Sequence, residues 1–139
     1  MVGLAIAGAS KVKNLFDTFQ QMTAKPNGFP KKIKGTFTSL SFEIGIKIDN
    51  PTDQEFSVSG VIATLTKVIV YYKGRLIGVS QIRISELDVP AFGSTVIPNV
   101  PIVVLNSEIL RLLPLIDALN LNDLKINVAI EVLGNEYFI

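Results

Sequence analysis

The sequence predicts a mainly β chain: an immunoglobulin-like antiparallel β-sandwich with one helix inserted in its C-terminal half and a helical arm at its N-terminus. Three observations carry this. Apolar residues alternate with other residues over 42–48 and again over 124–132, the period of a strand with one buried face. Strand-like segments recur at short intervals with Gly, Pro, Asn and Asp turn signals between them, as in a sandwich of two antiparallel sheets. Near the N-terminus and around residue 110 the apolar period lengthens to three and four, which is helical.

Taken in order, residues 1–22 form the helical arm, with 3–22 reading as helix. Val12, Leu15, Phe16, Phe19 and Met22 recur at three- and four-residue steps and share one face, with Lys11, Lys13, Asp17, Gln20 and Gln21 on the rest. Pro26, Asn27, Gly28 and Pro30 break it, so residues 23–35 read as a basic Pro/Gly linker. The β-sandwich domain is expected over 36–139. Phe42, Ile44, Ile46 and Ile48 form its first clear strand, which Asn50-Pro51-Thr52-Asp53 ends with turn chemistry. Residues 56–72 are dense in Val, Ile, Thr and Tyr, and Lys73-Gly74 makes a hairpin turn into a return strand through Ile82 and Ile84.

A bend around Pro90 leads into a strand over 95–105. There Pro98 and Pro101 cannot donate to a ladder, which argues for an edge or a bulge. Asn106 or Ser107 is placed to cap the inserted helix, with Glu108 in its first turn. Ile109, Leu110, Leu112, Leu113, Ile116 and Leu119 supply its apolar face, and Pro114 kinks or divides it. Leu124, Ile126, Val128, Ile130 and Val132 form the clearest strand, and Gly134-Asn135 turns into a last short one.

Composition bounds the function. The 139 residues suffice for one domain with its own core, and 48% hydrophobic against 18% charged residues excludes a disordered chain. There is no Cys, hence no disulfide and no thiolate metal site, and no redox compartment can be inferred. There is no His, which removes the usual general base, zinc ligand and triad member. The near-neutral charge is unevenly spread. Residues 1–35 hold six lysines against Asp17 alone, while the remainder holds seven basic and eleven acidic side chains. A basic arm on a mildly acidic body suggests contact with something else, for instance peripheral contact with an anionic surface. The apolar run over 2–9 precedes its lysines and is far shorter than the ~20 residues of a bilayer span, so neither a signal peptide nor a transmembrane helix is expected. The compartment stays open between cytoplasmic and virion-associated.

Several patterns invite chemistry and do not sustain it. Asp49-Asn50-Pro51-Thr52-Asp53 lacks the alternate ligands and closing Glu of a calcium loop, so it reads as an Asx-Pro turn. Lys73-Gly74-Arg75 sits between two strands and not at a helix start, which is a hairpin and not a phosphate loop. Glu86 and Asp88 have no accompanying base, nucleophile or ligand set. Tyr71 and Tyr72 beside basic residues are too small a cluster for nucleic-acid stacking. The expectation is therefore no catalytic residue, no metal, no cofactor and no nucleic-acid partner.

The motif run resembles a known family. Phe42-Glu43-Ile44-Gly45-Ile46-Lys47-Ile48-Asp49-Asn50-Pro51 is a strand running into Asn-Pro. It is followed by Val58-Ser59-Gly60-Val61, by Tyr72-Lys73-Gly74-Arg75-Leu76-Ile77-Gly78, and by Val89-Pro90-Ala91-Phe92-Gly93-Ser94-Thr95. From about Phe42 to Phe138, closing on Leu133-Gly134, the chain resembles the type-2 late embryogenesis abundant family, the water-stress and hypersensitive-response domain. The resemblance implies a non-catalytic β-sandwich with Asn50, Pro51, Gly74 and Gly78 as structural positions. It does not cover the arm, where many relatives carry a membrane anchor that this chain lacks.

Two functional expectations follow. The first is a non-enzymatic structural component of a larger assembly, such as a virion, docked onto other protein chains through Val12, Leu15, Phe16, Phe19 and Met22. The second is a soluble stress-protection protein of the family type. A carboxylate-based enzyme is a distant third.

Overall fold

The computed structural model describes residues 15–59 and 63–139; the start of the arm, Val12 included, and Gly60 and Val61 of the quoted motif lie outside them. Residues 15–21 are helical (α1), ending where the Met22 N–H donates to the Phe19 carbonyl at 3.0 Å. The strands are β1 (Thr23–Pro26), β2 (Lys31–Gly35), β3 (Leu40–Asp49), β4 (Phe56–Ser59), β5 (Ala63–Tyr72), β6 (Arg75–Ile84), β7 (Glu86–Val89), β8 (Ser94–Val104), β9 (Leu124–Val132) and β10 (Asn135–Phe138). Between β8 and β9 stand a short helix α2 (Ile109–Leu112) and three single 3-10 turns.

The fold is mainly β and wholly antiparallel among the described residues. Eight strands form one sheet in the order β1-β3-β8-β6-β5-β9-β10, with β2 also on β3, and β4 pairs β7 in a separate ribbon. β1, at one end of that order, packs against β9 near the other, so the sheet curls into a half-barrel. This departs from the two-sheet sandwich expected. The sheet stays continuous because β6 and β8 join at a two-residue seam, Gly78↔Val104 and Val79↔Val103, extended by Leu105 N–H to the Ile77 carbonyl at 2.8 Å. Gly78 makes this seam possible: a Cβ there would stand 2.7 Å from Ile102 Cγ2 and 2.9 Å from the Val103 carbonyl oxygen.

The alternating segments behave as their period requires. In β3 every even residue, Leu40 to Ile48, is buried, and Ile126, Val128 and Ile130 of β9 join the same core. Phe56, Leu87 and Val89 of the β4–β7 ribbon add to it. Lys73 and Gly74 both take positive φ (49° and 81°), and Leu133 and Gly134 repeat the pattern (49° and 86°), the left-handed pair that matches strand twist in a two-residue hairpin turn. The proline-bearing part of β8 is bulged: Ile44 pairs Val100 and Ile46 pairs Ile97, leaving Pro98 and Asn99 opposite Gly45, with Asn99 at φ 56°.

Residues 23–35 are not a free linker. β1 covers Ile46–Asp49 and β2 covers Leu40–Glu43, so both run along one edge of β3. The Asn27 N–H donates to the Gly45 carbonyl at 2.8 Å between them. The inserted helix differs too. Neither Asn106 nor Ser107 caps it, Leu110 faces solvent, and the segment breaks into short turns on either side of Pro114. Ile109, Leu112, Ile116 and Leu119 are nonetheless buried, because short turns can present apolar side chains to a core as well as one helix can.

Candidate functional site

The described part of the helix stripe faces inward. Leu15, Phe19 and Met22 are buried in the chain's own core, as is Thr18 between them. The Phe19 ring lies 5.8 Å from that of Phe56 on β4, and the half-buried Phe16 meets Tyr137 of β10 edge-on at 4.5 Å. α1 thus bridges the ribbon and the last strand. In this place Leu15, Phe19 and Met22 are covered by the chain's own core, whereas the arm's apolar period has them docking on another chain. The reason is geometric: the curled sheet leaves apolar surface between β4 and β10, and the nearest amphipathic helix covers it. Val12 lies outside the described residues.

The residues tied to the family resemblance hold backbone geometry. Asn50 is buried, and its Oδ1 accepts from the Thr52 N–H at 3.0 Å and the Thr52 hydroxyl at 2.7 Å. Its Nδ2 donates to the Gln54 carbonyl at 2.7 Å and, more weakly, to that of Val89 at 3.4 Å. One side chain thereby ties the β3–β4 turn to β7. Gly74 sits in its hairpin turn and Gly78 at the seam. Glu86 and Asp88 lie exposed on β7, with the Asp88 carboxylate accepting from the Ser57 hydroxyl. Among the described residues no group of three His, Cys, Asp or Glu side chains is placed to hold a metal ion, and no helix is long and apolar enough to cross a membrane.

One exposed apolar surface lies where the β2–β3 turn meets the end of α2. Gly35 approaches Leu113 so closely that a Cβ would stand 2.7 Å from Leu113 Cδ1, which sets the turn beside the helix. The turn is held by the Thr36 N–H to the Ser39 carbonyl at 2.7 Å. The Thr36 hydroxyl also accepts from the N–H groups of Thr38 at 3.2 Å and Ser39 at 3.1 Å. This fixed turn presents Phe37, 76% exposed, and the adjacent helix presents Leu110, 69% exposed. Sequence reasoning passed over Phe37 because a single aromatic in a turn has no period. The apolar period sets Leu110 on the buried face of a longer, regular helix, and α2 is only four residues long.

No protein-family model matches the chain, and no curated protein does. Among solved structures the chain is similar to a solution structure provisionally described as a late embryogenesis abundant protein, at 13% identity and a TM-score of 0.33, covering 99% of this chain and 84% of that one. A likeness at that score carries no argument about function.

Proposed function

We propose that the protein is a non-enzymatic structural or interaction module whose β body engages other protein chains of an assembly, a multi-protein particle such as a virion being one setting. The observation that carries this is Phe37: a large aromatic held out to solvent by a turn with three internal hydrogen bonds. Exposed aromatics on rigid supports bury much area at small entropic cost and are the usual anchors of interfaces. Leu110, exposed on α2 just before the Leu113 that Gly35 abuts, adds apolar surface to that segment. The docking role that periodicity assigns to the α1 stripe passes to this surface, since Leu15, Phe19 and Met22 are occupied at home.

The test replaces Phe37 by a photo-crosslinking phenylalanine analogue in the organism that makes the protein. A discrete adduct with one other chain, missing when the analogue stands at Asp53 and missing again in an analogue-bearing Leu110→Ser variant, is the expected result. No adduct, or the same smear of adducts from both positions, overturns the proposal.

A second reading has its own support. Asn50, Pro51, Gly74 and Gly78, the positions the family resemblance carries over, all sit at turns or close backbone approaches, as a late embryogenesis abundant fold would require. On that reading the chain is a stress-protection protein, and it should preserve a labile enzyme through freeze-drying better than an equal mass of serum albumin. Protection no better than albumin removes it.

A further inference from the structure

A cavity of ≈ 210 Å³ lies between the β5–β6 turn and α2. Its apolar wall is Tyr72, Ile77, Leu112 and Leu115; its polar wall is Lys73, Arg75, Arg111 and Glu108. The Glu108 side chain is only 7% exposed. Its Oε1 accepts from Arg75 Nη2 at 2.9 Å and Nε at 3.3 Å, while its Oε2 stands 3.5 Å from Arg111 Nη1 and is buried with no hydrogen-bond partner. This carboxylate holds two guanidiniums at the cavity while using few of their donors: a guanidinium has five N–H groups, and Glu108 takes two from Arg75 and none from Arg111 at hydrogen-bond geometry. Both arginine side chains are more than half exposed, so their remaining donors are open to a ligand. Lys73 adds a third cation, its Nζ 5.5 Å from the Tyr72 ring centroid.

We propose that this cavity binds a small monocarboxylate with an apolar body, of the medium-chain fatty acid kind. Three cations against one carboxylate leave the polar wall two charges positive, and low-dielectric walls such as Ile77 and Leu112 strengthen its pull on an anion. A guanidinium matches a carboxylate two bonds at a time, which favours that head group over an alcohol. Leu112, Leu115 and Ile77 take the alkyl body. The volume falls below the ~300–1,000 Å³ of drug-sized sites, which limits the alkyl body to medium length. Glu108 is a positioning residue: it bonds the Arg75 guanidinium and sits 3.5 Å from that of Arg111, and the ligand's carboxylate takes the donors of Arg111 and Lys73 on the side away from it. The site goes beyond the docking proposal and uses other residues of the same segment.

The test is a titration of the full chain with octanoate, followed by amide proton–nitrogen NMR, with 1-octanol as the uncharged isostere. Octanoate is expected to shift amides of residues 72–77 and 108–115 saturably, and 1-octanol to bind at least about tenfold more weakly. Arg111→Gln, at an exposed side chain, should weaken octanoate about tenfold and leave 1-octanol unchanged; Lys73→Gln is the second variant should the first disturb the spectrum elsewhere. The proposal falls if octanoate leaves these amides unmoved at millimolar concentration, if 1-octanol matches it, or if a folded variant binds octanoate as tightly as the native chain. Any of these would make the cluster a solvated ion network only.

Discussion

Gly78→Ala tests the seam that makes one sheet of two halves. The added methyl carbon would sit 2.7 Å from Ile102 Cγ2 and 2.9 Å from the Val103 carbonyl oxygen. The isoleucine methyl can move by a rotamer change, but Ile102 is fully buried and has little room for one. The carbonyl belongs to β8 itself and can retreat only if the strand does, and at that point just two residue pairs join the halves. Overpacking of this kind costs roughly 1–3 kcal/mol. For a domain between the usual small and large sizes, each kcal/mol lowers the melting temperature by about 3–5 °C, so a fall of roughly 3–15 °C is expected. Thermal unfolding by circular dichroism reads the fall. Hydrogen exchange should also show the Leu105 amide, which donates to Ile77 beyond the seam, losing protection before the amides of β5 and β9. A melting temperature within about 1 °C of the native value would refute the reasoning, because a shift that small means β8 leaves room for a methyl group at residue 78.

Substitutions at two further positions probe other claims. Phe19→Ala empties a buried site against Phe56 and should cost about 3–5 kcal/mol in urea unfolding; under about 1 kcal/mol would mean that α1 does not cover the core. Asn50→Ala strips the β3–β4 turn of its bonds and should cost about 1–3 kcal/mol, with Asn50→Asp, which keeps the acceptor for Thr52 but loses the donor to Gln54, falling between. An Asp variant worse than Ala would show that burying the charge outweighs the retained bonds.

Much of the sheet was legible because the period of two survives single-sequence reading. The buried even positions of β3 and the Ile126–Val128–Ile130 row need only alternation to be found, and Lys73-Gly74 announces its turn by φ demands that Gly meets cheaply. What failed was whatever depends on partners distant in sequence. Pro26, Gly28 and Pro30 read as linker, yet an edge strand is bonded on one side only and tolerates proline. The α1 stripe says that a face must be covered, not by what; the answer lies in Phe56 and Tyr137, far along the chain. Glu108 read as a helix-start acid because its partner Arg75 is 33 residues away. The cavity was invisible for the same reason, since its cations come from a hairpin and a helix that only the fold brings together.

The lysines of β2 have one more consequence, for what the molecule avoids. Among the described residues β2 pairs only with β3, which leaves it the outer strand where it lies. An open strand invites a second copy to add strand to strand, and repeated addition makes fibres. Lys31, Lys32 and Lys34 crowd five residues of that edge, and its register with β3 slips between Lys31 and Lys34. Two such edges brought together would set lysine against lysine on an uneven ladder; among the described residues Lys32 alone of the three lies near a carboxylate, that of Glu43 at 3.7 Å. Like charges crowded on an open strand oppose such addition, a consequence of the basic run that needs no anionic surface at all.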